Sequence, residues 1–168
     1  MICKVLTTVF LASVSLAAAA QAQTPPQKSA PFKADPQIQR GKYLVKISGC
    51  NDCHTPGYAM SGGKVPESQW LTGDALGWRG PWGTTYPPNL RLYMRDMSEA
   101  GWVQRARSVE TRPPMPWFTL RDMTEQDLRA IYKYVNALGP AGEAAPIYVP
   151  PGHEPKTPYV QFPTPPKQ

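Results

Sequence analysis

The chain has 168 residues, with 18 Lys and Arg against 12 Asp and Glu, a formal charge of +6, and 21 prolines. That length suits one domain with tails. The basic residues are scattered, and no basic helix is interleaved with base-stacking aromatics, so the positive balance does not read as nucleic-acid binding.

Residues 1–22 have the three parts of a secretory signal peptide: Lys4, an apolar run from Val5 to Ala20, and Ala20-Gln21-Ala22 as the cleavage site. The alternative is a membrane anchor, but the run is short for a bilayer and ends in small residues followed by Gln and Pro. No later stretch approaches the ~18 apolar residues of a span, so none is expected after cleavage. A periplasmic location is therefore expected. Removing 22 of 168 residues leaves 146, and the loss of Lys4 lowers the charge to +5. Cys3 leaves too, so Cys50 and Cys53 are the remaining cysteines.

Residues 23–34 form a Pro/Gln/Ser-rich leader that reads as disordered. A first helix is expected from Pro36 to about Ser48, with Asp35 as N-cap, Pro36 at its first position and Gly49 at its stop. Gly41 costs about 1 kcal/mol of helix propensity. Its compensation would be close approach by another helix; the bland reading is a tolerated weak spot.

Cys50-Asn51-Asp52-Cys53-His54 follows, and matches C-x-x-C-H, the pattern of covalent c-type haem attachment. Cysteines three apart on a helical turn share a face. Each sulfur can add to one of two vinyl groups on a single haem edge, and His54 can then present an imidazole to the iron. The alternatives are a disulfide, a thioredoxin-like redox motif or half a zinc site. A redox motif does not need the histidine, and a zinc site needs ligands this chain lacks.

Residues 55–90 carry Gly57, Gly62, Gly63, Gly73, Gly77, Gly80 and Gly83, which break any regular pattern, yet also Trp70, Trp78 and Trp82. The expectation is a long loop packed over the cofactor, with room for a short hairpin or helical turn. Ser98 caps a helix over 99–108 with Trp102, Val103 and Ala106 inward. The last helix is the best defined: Thr124 as N-cap, Asp127 at N3, and Met123 and Leu128 as a hydrophobic staple. Its stripe is Leu128, Ile131, Tyr132, Val135 and Leu138, and Gly139-Pro140 ends it. It should cross the first helix near Gly41, with Tyr134 or Ile131 against the glycine. Residues 141–168 form a proline-rich tail, read as extended and trailing, although Tyr148, Tyr159 and Phe162 could pin it to the domain.

An electron-transfer haem needs a second axial ligand. His153 stands in the tail, Met60 is close to His54, Met94 and Met97 adjoin the third helix, and Met123 serves as a staple residue. Met115 sits in Arg112-Pro113-Pro114-Met115-Pro116-Trp117, a stiff segment with few backbone donors that can hold a weakly bound thioether. The alternative is a surface loop in which Met115 fills a gap. His54 should donate its Nδ1–H to a backbone carbonyl, and the rigid Pro87-Pro88-Asn89-Leu90 run is the candidate acceptor.

Taken together, Gly41-Lys42-Tyr43-Leu44, the haem motif, Tyr86-Pro87-Pro88-Asn89-Leu90, Met115-Pro116-Trp117 and the closing helix resemble the monohaem class I cytochromes c. They are most similar to the haem modules of bacterial cytochrome subunits that serve alcohol and sugar dehydrogenases. The resemblance spans about residues 35–140. It implies an all-α fold around one haem c with first and last helices crossing, and His54 and Met115 as iron ligands. It also implies Pro88 O as the His54 acceptor and Leu90 packed on the haem. This chain departs from those subunits in having one haem motif where they usually carry three. The expected function is single-electron transfer with redox partner proteins, as a soluble carrier or a small dehydrogenase subunit, rather than catalysis. A haem-based gas sensor is the alternative; a two-haem peroxidase would need a second motif.

Overall fold

The computed structural model describes residues 35–163. The expected signal peptide (1–22), the expected leader (23–34) and residues 164–168 lie outside the described residues.

Two long helices form the frame. Helix α1 (Pro36–Ile47) starts where Asp35 accepts a 2.8 Å hydrogen bond from the Gln37 amide, with Pro36 in its first turn. It is followed by a one-turn helix, α2 (Cys50–His54), after Gly49 in left-handed conformation at φ +70°. The C-terminal helix, here α6 (Glu125–Leu138), starts where Thr124 Oγ1 accepts from the Asp127 amide at 3.1 Å and stops at Gly139. Of its expected stripe, Leu128, Ile131 and Val135 are buried and Tyr132 and Leu138 half-buried, while Ala130 and Tyr134 are buried as well. The α1–α6 crossing lies at Gly41, where a Cβ would stand 2.0 Å from Ala130 O and 2.7 Å from Tyr134 Cβ. Tyr134 is thus one of the two side chains expected there, while the nearest atom is the Ala130 carbonyl rather than Ile131. Arg40 Nε donates to Asp127 Oδ1 at 2.9 Å across the same interface.

Between them lie α3 (Leu90–Tyr93), α4 (Glu99–Ser108) and α5 (Trp117–Asp122). Helix α4 is capped by Ser98, whose Oγ accepts from the Gly101 amide, and packs on α6 with Trp102 Nε1 donating to Leu128 O at 2.9 Å. Arg91 on α3 donates to Ser68 O at 2.8 Å and to the Leu138 and Gly139 carbonyls, so it supplies donors to the open C-terminal end of α6.

The expectation of an all-α, class I cytochrome c fold is corrected by a three-stranded mixed sheet. Strands β1 (Gly77–Gly80) and β2 (Gly83–Thr85) form an antiparallel hairpin across Pro81-Trp82, and β3 (Tyr159–Gln161) pairs parallel to β1, in the order β2-β1-β3. These strands have three or four residues, too few for an alternating pattern to register. Of the glycines that broke the pattern, Gly73, Gly77, Gly80 and Gly83 are points of close approach, whereas Gly57 and Gly62 stand in open space. A Cβ on Gly77 would lie 2.6 Å from Thr84 Cγ2 and 3.2 Å from Tyr159 Cβ. Prolines stand just outside β3 at Pro158 and Pro163, where no ladder bond is lost.

Residues 141–163 do not trail. They lie along the hairpin, with the Phe162 ring centroid 5.3 Å from that of Trp82 and 6.0 Å from that of Trp78. Arg79 donates to Glu154 Oε1 at 2.7 Å and to Tyr159 Oη at 2.9 Å. Among the described residues no helix is long and apolar enough to cross a membrane.

Candidate haem-binding site

Cys50, Cys53, His54, Pro88, Leu90 and Met115 all line one cavity of about 670 Å³. That is within the usual range for small-molecule and cofactor sites, about 300–1,000 Å³. The walls are largely apolar. Val45 of α1, Trp102 of α4 and Ile131 and Val135 of α6 close one part, and Trp78 of β1 and Trp117 of α5 another. The frame helices therefore turn the same faces inward that the periodicity marks as core.

His54 is buried, and its Nδ1 lies 2.8 Å from Pro88 O. The proton on Nδ1 donates to that carbonyl, which leaves Nε2 as the lone-pair nitrogen. Burial pushes the imidazole pKa down, and the Pro88 bond offsets this in part. The neutral ring, which is the form that binds a metal, is favoured.

The Pro88 carbonyl is fixed from behind. Gly73, at φ +77°, donates its amide to His54 O at 2.9 Å, and a Cβ there would lie 2.7 Å from the Asn89 amide nitrogen and 3.0 Å from Pro87 O. Thr55 Oγ1 donates to Asn51 Oδ1 and accepts from the Leu71 amide, both at 2.8 Å. Leu90 in turn donates its amide to Leu71 O at 3.0 Å. Segments 54–55, 71–73 and 87–90 are thereby locked edge to edge, and the histidine's orientation is set by this lock. Asn89 caps α3, its Oδ1 accepting from the Arg91 and Leu92 amides.

The two cysteines are free thiols on α2. Burial pushes Cys50 up to about 11, and burial also raises Cys53. A thioredoxin-type nucleophile has the opposite shift. No cluster of three His, Cys, Asp or Glu side chains forms a metal centre among the described residues, so the zinc reading finds no ligand set there.

Of the other axial candidates, His153, Met60 and Met97 do not line the cavity, and Met60 is 94% exposed. Three thioethers do line it: Met94, Met115 and Met123. The sequence assigned Met94 no role and read Met123 as a staple residue. Met94 is 1% exposed and belongs to the hydrophobic core cluster, with Met123 packed against that cluster. Met115 belongs to neither, and its segment is held by Thr85 Oγ1, which donates to Pro113 O at 2.9 Å.

Sequence reasoning left the polar part of the wall undefined. The structure brings Arg105 and Arg112 to the rim, with Glu110 and Tyr86. Arg105 Nε donates to Tyr93 Oη at 2.9 Å, and the Arg112 guanidinium stacks 4.0 Å from the Tyr148 ring centroid. No local pattern distinguishes these arginines from the chain's other scattered cations. Neither family models, nor curated proteins, nor solved structures provide a match to this chain.

Proposed function

We propose that this chain is a c-type cytochrome that carries single electrons outside the cytoplasm, as a soluble carrier or as the small subunit of a periplasmic dehydrogenase. The observation that supports it is the convergence of Cys50, Cys53 and His54 on one apolar cavity, with His54 Nδ1 held by Pro88 O. A covalently bound haem supplies a one-electron Fe(III)/Fe(II) couple.

The chain's own residues do the rest. Cys50 and Cys53 would hold the haem covalently, each thiol adding its sulfur and hydrogen across one vinyl group, so that attachment would release nothing. His54 would bind the iron through Nε2, and the Pro88 carbonyl keeps the ring from turning. Met115 would supply the second iron ligand, because its proline-rich segment is stiff and it is not part of the core cluster, as Met94 is. With His54 and Met115 as ligands, the iron would favour its reduced state and have a raised potential. Arg105 and Arg112 are rim cations available to the two propionates. Leu90, Trp78 and Trp117 exclude water from the faces. The mildly basic chain favours encounter with a partner whose docking face is acidic.

The test is the mass and colour of the exported protein. One haem added to the processed polypeptide, retained after acid-acetone extraction, is expected. A colourless product with the mass of its amino acids alone overturns the proposal. Rapid carbon monoxide binding by the reduced wild type would instead favour the gas sensor.

A further inference from the structure

The C-terminal segment touches both sides of the cavity. At its start, Asn89 Nδ2 donates to Ala141 O at 2.8 Å and Glu143 O at 3.1 Å. Asn89 adjoins Pro88, whose carbonyl orients His54. At its middle, the Tyr148 ring carries the Arg112 guanidinium, three residues before Met115. Tyr148 Oη donates to Trp82 O at 2.8 Å. Thr84 and Val149 exchange both backbone bonds, at 2.8 and 3.0 Å. At its end, β3 and Phe162 back β1, whose Trp78 lines the cavity.

The hairpin is shaped to receive this segment. Gly83 stands at φ +93°, and a Cβ there would lie 2.4 Å from Val149 O and 2.9 Å from Tyr148 Oη. Tyr148 itself does not line the cavity, so it acts through Arg112 and the hairpin. The Met115 segment has few other ties: the one to Thr85 Oγ1 also runs through β2. Apart from its continuation into α5, which packs on α4, the segment is held through the hairpin and the C-terminal segment.

We propose that residues 141–163 are a strap that sets the position of the Met115 segment relative to His54, with Tyr148 as the positioning residue. This rests on the haem reading for its functional consequence, but the mechanical claim concerns the polypeptide alone. Loosening Tyr148 would free residues 112–117 while leaving the α1–α6 frame intact, because the strap's bonds go to the hairpin, Asn89 and Arg112 rather than to the helix crossing.

The test uses the full-length exported protein and three forms: wild type, Tyr148→Phe and Tyr148→Ala. The phenylalanine keeps the stacking face and loses the bond to Trp82 O; the alanine loses both. Exchange of the Trp117 amide, which donates to Met115 O at 2.9 Å within this proline-rich segment, is expected to rise about tenfold in Tyr148→Ala, with that of α1 and α6 unchanged, and to stay near wild type in Tyr148→Phe. The same alanine variant is expected to bind added imidazole at the iron about tenfold more tightly, because the thioether is displaced more readily. A tenfold change corresponds to about 1.4 kcal/mol. Gly83→Ala, which pushes the strap off from the other side, is expected to reproduce the exchange pattern. Unchanged exchange at Trp117, or a rise spread equally over α1 and α6, overturns the strap. Altered exchange with wild-type imidazole affinity overturns its role in positioning the ligand. Absence of covalent haem in the wild type overturns the proposed function, while the exchange measurement still decides the strap.

Discussion

Replacing Gly41 by alanine tests the frame that holds the cavity. The added methyl would sit 2.0 Å from Ala130 O, 2.6 Å from Ala130 C and 2.7 Å from Tyr134 Cβ. Ordinary contact begins near 3.4 Å, so the helices must separate locally by more than an ångström. The nearest obstacle is backbone, which cannot rotate aside as a side chain can. Overpacking of this kind costs about 1–3 kcal/mol, and an obstacle made of backbone belongs at the upper end. Against it stands the gain of about 1 kcal/mol in helix propensity. A net loss of about 2 kcal/mol is expected, which lowers Tm by about 6–10 °C in a domain of this size. The assay is thermal and urea denaturation followed by far-UV circular dichroism. Stability equal to wild type, or higher by the propensity gain, would refute the crossing at Gly41, because an exposed helical glycine would behave that way.

Met115→Ala is expected to abolish the weak long-wavelength sulfur-to-iron absorption band of the ferric protein, while Met94→Leu and Met123→Leu keep it. Loss of the band in either leucine variant alone would move the ligand to that residue. Asn89→Ala removes the cap of α3 and both bonds to the strap, and is expected to cost about 2 kcal/mol in urea denaturation; a loss below about 0.5 kcal/mol would show that these bonds are not made. The Arg40 hydrogen bond holds the Asp127 carboxyl below its ordinary value. A carboxyl lowered on folding adds stability above its unfolded pKa, near 3.9, and that stability is lost as pH falls through the folded value. Arg40→Gln should thus be less stable than wild type at about pH 6, with the difference vanishing towards about pH 2. A difference that persists in acid would place its origin in packing instead.

Local chemistry made much of the frame legible. Asp35-Pro36, Ser98 and Thr124 with Asp127 are caps whose hydrogen bonds lie within a few residues, so they form wherever the helices form. The motif at Cys50–His54 is equally local, and the structure turns those three side chains into one cavity with Pro88, Leu90 and Met115. Met94 and the rim arginines were not legible, because their place in the wall depends on segments that meet only after folding. The hairpin was allowed for within the long loop but not placed, because Gly77 and Gly83, read as breakers, are required by Tyr159 and Val149, neighbours distant in the chain.

The amino-acid order alone settled the helices with strong ends and the thiol–imidazole set on one short turn, since each depends on residues within a turn or two; it pointed to Gly41 as a crossing, which the contact with Ala130 and Tyr134 decided. Tertiary structure decided the mixed sheet, the acceptor lock behind His54 and the course of residues 141–163. The proline-rich segment has no repeating apolar pattern of its own. It takes its conformation from the hairpin it lies on, through Val149, Tyr159 and Phe162. Contacts of that kind are paid for by loop closure over a long separation, and no short window of sequence reports them.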